Sequence, residues 1–184
     1  MILETERLIL RPWRETDAED LYNYAKDERV GPIAGWAPHK SVEESAEIIR
    51  TIFTQEGVFA VTQKEDDIAI GLIGLIRGAK SNFPISENEA EISYWIGVPF
   101  WGKGFIPEAI REVTRYGFEE LRFTNIWSGY FDGNEKSKRS QEKCGYRHHH
   151  IEENKPYALT NDIRTEHVSR ITKDEWIEFT NTSV

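Results

Sequence analysis

EAEISYWIGVPFWGKGFIPEAIREVTRYGFEEL, residues Glu89 to Leu121, changes its hydrophobic period midway. At its start Ile92, Tyr94 and Ile96 alternate with Glu91, Ser93 and Trp95, the period of two that sends neighbours to opposite faces of a strand. A turn-rich segment follows, Gly97-Val98-Pro99-Phe100-Trp101-Gly102-Lys103-Gly104. Then Ile106, Ile110, Val113, Gly117 and Leu121 recur at helical spacing, with Pro107 near the first turn, where a missing N–H costs little. A strand, a glycine loop and a helix N-terminus gather unpaired N–H groups around one point. The helix dipole adds partial positive charge there, so the segment predicts an anion cradle suited to phosphate. Two glycines alone would mark only a tight turn; the strand–loop–helix order is what argues for the cradle.

The loop is neither G-x-x-x-x-G-K-[ST] nor G-x-G-x-x-G, so neither a Walker-type nucleotide site nor a dinucleotide site is indicated. W-G-K-G-F-I-P-E-A resembles instead the acetyl-CoA loop of the GNAT N-acetyltransferases, in particular the branch of the ribosomal-protein acetyltransferases RimJ and RimL. The family pattern [QR]-x-x-G-x-[GA] falls on Trp101, Gly104 and Ile106. Trp101 stands in place of Gln or Arg, as is frequent in this branch, and Ile106 in place of a small residue. The opening E-T-E-R-L-I-L-R-P, E-I-S-Y-W-I before the loop, N-x-x-S with K-C-G-Y-R after it, and the closing H-V-S-R-I-T-K-D-E-W resemble the same branch. The likeness extends over nearly the whole chain.

The 184 residues predict one domain with a proper core, and 30% charged with 39% hydrophobic residues is ordinary for a soluble globular protein. Thirty-two acids against 23 bases give a net charge of −9, which argues against broad nucleic-acid binding. That charge suits a cationic substrate, and equally a generic acidic surface that aids solubility. The longest apolar run, Ile68 to Ile76, falls well short of the ~20 residues of a membrane span and reads as a core strand. MILETERLILR lacks the long apolar run of a signal peptide. Cys144 is the one cysteine, which excludes an internal disulfide and suits a reducing, cytoplasmic setting.

Along the chain, residues 3–13 predict a first strand with Leu8 and Leu10 on one face, ended by Pro12. Thr16 or Asp17 is expected to cap a helix over 17–27 with Leu21, Tyr24 and Ala25 inward. Residues 30–40 read as a Gly/Pro loop, and Ser41 with Glu44 as a capping box opening a second helix. Residues 58–64 and 68–77 form a hairpin, and Asn125–Asp132 a further strand. Asn134 caps a helix ending at Cys144, with Gly145 just beyond it. Residues 146–151 and 164–171 are the last strands, and Thr172 with Glu175 caps a terminal helix. This α+β order matches what the resemblance implies: a mixed, mostly antiparallel sheet flanked by helices and splayed at its central strands.

The resemblance also implies the chemistry: acetyl transfer from acetyl-CoA to a primary amine by direct attack in a ternary complex. Pantetheine would pair with the strand end at Ile96, Gly97 and Val98. The pyrophosphate would rest on Gly102, Lys103, Gly104 and Phe105, with Ile106 at the helix start. Asn134 matches a family asparagine that contacts the cofactor, and it reads equally as a plain N-cap. Lys138, with Lys136, Arg139 and Lys143 nearby, is a candidate partner of the 3′-phosphate or simply part of a solvated face. Ser137, at the N-x-x-S position, is the first candidate for protonating the thiolate, with Ser140 and Tyr146 behind it. Glu91, acting through water, is the candidate base, with Glu89 as an alternative. Trp36, Trp95 and Trp101 are candidates for the acceptor wall or for the core.

His148, His149 and His150 are adjacent on an expected strand, so they should alternate faces and not meet one ion; no metal is predicted. Cys144 is expected to be packed. The acceptor implied by the branch is a protein N-terminal amine, and relatives acting on polyamines or antibiotics keep a small amine open. A domain that binds or senses acyl-CoA without transfer stays open as well. Exposed strand edges permit a homodimer.

Overall fold

Alternating side chains sort the sheet residues into two cores, one on each face. Phe59 and Val61 enter one core and Ala60 the other; Ile73 and Leu75 enter the first and Leu72 the second. The computed structural model describes residues 1–182. Its strands are β1 (Leu3–Glu4), β2 (Leu8–Arg11), β3 (Val58–Gln63), β4 (Ala69–Arg77), β5 (Glu89–Ile96), β6 (Asn125–Phe131), β7 (Arg147–Tyr157) and β8 (Asp162–Thr172). The helices are α1 (Ala18–Ala25), α2 (Gly31–Ala34), α3 (Val42–Ile48), α4 (Phe105–Glu119), α5 (Glu135–Glu142) and α6 (Lys173–Thr182). The eight strands form one mixed sheet in the order β1-β2-β3-β4-β5-β6-β8-β7. All neighbours are antiparallel except β5 and β6, which are parallel.

Helix α4 covers the first core. Ile106, Ala109, Ile110 and Val113 are buried among Leu8, Leu10, Ile73 and Ile92, each large side chain contributing about 1.5–3 kcal/mol by its burial. Gly117 lets the helix lie close on the sheet, since a Cβ there would stand 2.8 Å from Ile126 Cδ1. Leu21, Ala25 and Ile49, from α1 and the turn that continues α3, pack with Trp13, Leu72 and Trp95 on the other face. The expected alternation of β5 is thus realised, with Ile92 and Ile96 on one side and Trp95 on the other.

Several local expectations are corrected. The first strand is two, because Thr5 turns the chain: its backbone N–H donates to Leu8 O at 3.0 Å and its hydroxyl accepts from Leu8 N at 2.9 Å. Asp17 does not cap α1. Its carboxylate instead receives Arg11 at 2.8 Å and the Arg14 N–H at 2.8 Å. The loop over 30–40 holds α2, which begins at Gly31-Pro32 and ends at Gly35 in the left-handed region (φ 94°). Leu121 lies beyond the end of α4 and is half-buried. The capping box at Thr172 and Glu175 forms with both reciprocal bonds, at 2.8 and 3.1 Å. At Ser41 one arm is made, Glu44 N to Ser41 Oγ at 3.2 Å, while the Glu44 carboxylate accepts from Lys40 N rather than from Ser41.

Candidate active site

The central feature is a parting of strands. β5 and β6 pair only at Glu89–Asn125, Ala90–Ile126 and Glu91–Trp127. Beyond that point β6 follows β8 and β5 follows β4, so the two strands diverge. Ser128 reaches across the start of the gap, its hydroxyl donating to Ile92 O at 3.3 Å. Gly97 N–H, one residue past the strand, donates to Ile70 on the β4 side at 2.9 Å. Backbone groups alternate sides along an antiparallel strand, so the N–H and C=O of Tyr94 and the N–H of Ile96 turn toward the gap. The Ile96 carbonyl is taken by the Trp101 indole N–H at 2.9 Å.

A cleft of about 420 Å³ runs through this gap. At one end it is lined by Gly102, Gly104, Phe105, Ile106 and Pro107; at the other by Asn82, Glu91, Tyr157 and Glu166. Gly102 and Gly104 have φ of 76° and 80°, a left-handed geometry that costs other residues about 1–2 kcal/mol each. Among the described residues no backbone carbonyl accepts from the N–H groups of Gly102, Lys103, Gly104, Phe105 or Ile106. Arg7 braces the loop from outside, donating to Lys103 O at 3.0 Å while pairing with Glu108 at 2.6 Å. These N–H groups gather at the head of a fifteen-residue helix, where the helix dipole adds partial positive charge.

The remaining expected residues divide. Ile96, Asn134, Ser137 and Ser140 line the cleft with Glu91. Gly97, Val98, Lys103 and Lys138 lie outside its wall, whereas Lys136, Arg139 and Lys143 lie on it. Asn134 caps α5, accepting from Ser137 N at 3.2 Å. Ser137 Oγ stands 2.8 Å from the Tyr94 hydroxyl, and Gln141 Nε2 reaches both oxygens at 3.3 Å. Tyr146 is buried against Thr114, 2.9 Å between hydroxyls, and is absent from the wall. Trp95 and Trp101 line the cleft; Trp36 packs edge-on against Trp95 at 5.7 Å. Lys136 lies 3.5 Å over the Trp101 ring.

Glu91 is 5% exposed. Burial pushes its carboxyl above the ordinary glutamate range, against hydrogen bonds from Asn82 and Ser81, and the neighbouring Glu166 charge pushes the same way. Glu89, the alternative, is held below that range by Ser86, Asn125 and Trp127. Of the two, Glu91 is the carboxyl whose affinity for a proton the fold increases. Burial also raises the Cys144 thiol to about 12, so it stays a packed thiol that donates to Pro107 O at 3.3 Å.

The histidine run departs from simple alternation. A register shift between His148 and His150 brings His149 Nδ1 to 2.8 Å from His150 Nδ1. Among the described residues no three His, Cys, Asp or Glu side chains gather at metal-ligand spacing.

Sequence reasoning did not single out Tyr94, Gln141 or Glu166. Tyr94 enters the sequence reading only through its alternation with Ile92 and Ile96. A hydroxyl on a strand beside the glycine loop was the available signal.

This architecture is that of an acyltransferase, and the comparisons agree. A family model described as "Acetyltransferase (GNAT) domain" matches residues 7–147. The chain belongs to the GNAT acetyltransferase family. It is 31% identical over 150 residues to YoaA of Bacillus subtilis (strain 168), named as an uncharacterized N-acetyltransferase, covering 79% of this chain and 82% of YoaA. Its fold matches a GNAT-family acetyltransferase from Bacillus anthracis with TM-score 0.83 and 22% identity, covering 95% and 99% of the two chains. It also matches the ribosomal-protein-S5-alanine acetyltransferase from Vibrio fischeri with TM-score 0.74 and 19% identity, covering 96% and 98%. No helix among the described residues is long and apolar enough to cross a membrane.

Proposed function

We propose that the protein transfers acetyl from acetyl-CoA to the primary amine of a protein N-terminus, in the manner of the RimJ/RimL branch. One observation carries this reading: the parting of β5 from β6 after Glu91–Trp127 leaves strand groups free beside the N-terminus of α4. The N–H groups of Gly102 to Ile106 suit the pyrophosphate. Tyr94 and Ile96 offer the backbone groups that an extended pantetheine needs, by strand addition. Of the expected strand end, Ile96 offers its N–H, whereas Gly97 spends its N–H on Ile70 and its carbonyl on Phe100; Lys136, Arg139 and Lys143, which line the cleft, are the cations offered to a terminal phosphate.

Glu91 takes the proton of the incoming amine through a water, and Ser137 returns a proton to the sulfur as the C–S bond breaks. A backbone N–H near Val98 faces the developing oxyanion. The likeness to an S5-alanine acetyltransferase favours an α-amine acceptor, and the acidic chain suits a basic protein tail. The buried, unpaired Cys144 suits work in the cytoplasm. Thiol release from acetyl-CoA over a panel of N-terminal peptides and polyamines tests the reading. Release with peptides supports it; release with polyamines alone shifts the acceptor to a small amine; CoA binding without release for any amine turns the protein into a binding module.

A further inference from the structure

Glu91 and Glu166 line the same cleft and are held in opposite ways. Glu91 has both oxygens engaged: Oε2 accepts from Ser81 Oγ at 2.8 Å and Asn82 N at 2.7 Å, and Oε1 from Asn82 Nδ2 at 3.1 Å. Glu166 is 6% exposed and takes both of its donors on one oxygen, since Lys155 Nζ, at 2.8 Å, and the Tyr157 hydroxyl both bond Oε2. Among the described residues no donor reaches Glu166 Oε1.

The bare oxygen has a defined place. It lies over Gly129 of β6, where a Cβ would stand 2.2 Å from Oε1. The Gly129 carbonyl accepts from Gln141 Nε2 at 3.2 Å, and the same amide nitrogen reaches Ser137 Oγ and the Tyr94 hydroxyl. Gly129 therefore stands between the free carboxylate oxygen and the Ser137–Tyr94 pair. Lys155 does not neutralise this end of the cleft, because Glu152 shares its ammonium at 2.6 Å. Phe131 and Tyr157, edge to face at 4.7 Å, wall the space with apolar surface. A charge in such surroundings acts more strongly than in water.

A nearly buried carboxylate with one oxygen tethered and the other bare lacks a donor, and a cationic amine is the donor this site would take. We propose that Glu166 binds and orients the acceptor amine through Oε1, while Lys155 and Tyr157 keep the carboxylate from turning away. The inference rests on the transferase reading above and divides the labour within it: Glu166 binds the amine and Glu91 takes its proton. It selects a primary amine over a neutral hydroxyl acceptor.

The test is steady-state thiol release at saturating acetyl-CoA with three probes: an alanine-starting hexapeptide, a serine-starting hexapeptide and spermidine. Glu166→Gln is expected to raise the amine KM at least about tenfold, while Glu91→Gln lowers chiefly kcat. Calorimetric affinity for acetyl-CoA is expected to stay within about twofold of wild type in both, the mark of a folded cofactor site. Tyr157→Phe keeps the charge and removes one tether; a rise in amine KM of about threefold is expected, and it carries the test if Glu166→Gln does not fold. A wild-type amine KM in folded Glu166→Gln, or in Tyr157→Phe where Glu166→Gln does not fold, overturns this inference alone. No thiol release by the wild-type protein with any probe overturns the transferase reading and this one together.

Discussion

The Tyr94 hydroxyl stands 2.8 Å from Ser137 Oγ and joins β5 to the first turn of α5 across the parted strands. Burial holds the phenol up at about 12, so Tyr94 is protonated at neutral pH and can donate to Ser137. Gln141 donates to the same Oγ. When Tyr94 is the donor of that 2.8 Å bond, the serine hydroxyl keeps its own proton to give to a third atom. That is the state a general acid needs before the leaving sulfur departs.

Ser137→Ala is therefore expected to lower kcat by about a hundredfold, with acetyl-CoA affinity nearly unchanged. Tyr94→Phe should lower it by about tenfold, because Gln141 still orients the serine. Steady-state kinetics beside calorimetry separate the two effects. Wild-type kcat in Ser137→Ala would remove the serine from the reaction.

The pH dependence follows from Glu91. In the unfolded chain it titrates near about 4.3; in the fold, burial raises it. Between those two values the folded state holds more proton than the unfolded chain, so stability falls as pH rises through the window, and the loss is complete above the folded value. On the catalytic side the base must be ionised, so the acid limb of kcat/KM should inflect above about 4.3. In Glu91→Gln that limb should vanish with a fall of about a hundredfold in rate, and the melting temperature should drop less than in wild type as pH rises above about 4.3. An unchanged acid limb would show that another group is the base.

Gly104→Glu sets an acid where the phosphate is proposed to rest. Acetyl-CoA affinity should fall at least about tenfold. The left-handed backbone at Gly104 adds a stability loss of about 1–2 kcal/mol, readable by thermal melting. Normal CoA binding by the folded variant would displace the phosphate from this loop.

Arg11, 2% exposed, meets Asp17 through two 2.8 Å hydrogen bonds beneath α1 and also holds Asp67 at 2.7 Å. Asp17→Ala strands a buried guanidinium and should cost about 3–5 kcal/mol in urea unfolding. A loss below about 1 kcal/mol would mean that Asp67 alone satisfies Arg11.

What the sequence made legible was local. The stripe Ile106, Ile110 and Val113 and the glycine loop before it can be read from spacing, because a helix and its cap are written in neighbouring residues. The caps at Asn134 and Thr172 are legible for the same reason. The point where β5 leaves β6 is not, since it depends on the pairing of Glu91 with Trp127, residues remote in the chain. β7 runs six residues past its expected end at Ile151: EENKPY is polar and lies on an edge, so no buried face marks it as strand. Glu166 escaped notice because its importance comes from Lys155, Tyr157 and Gly129, none of which is a sequence neighbour. Pro32 near its start and Gly35 at its end did announce α2, but in a segment of four residues those signals read as a turn.

The most direct test of the account is isothermal titration of the wild-type protein with acetyl-CoA, free CoA and ATP. The parted strands and the α4 N-terminus predict dissociation constants on the order of micromolar for both CoA species and no binding of ATP. Absence of CoA binding, or equal binding of ATP, would contradict the assignment of the cleft.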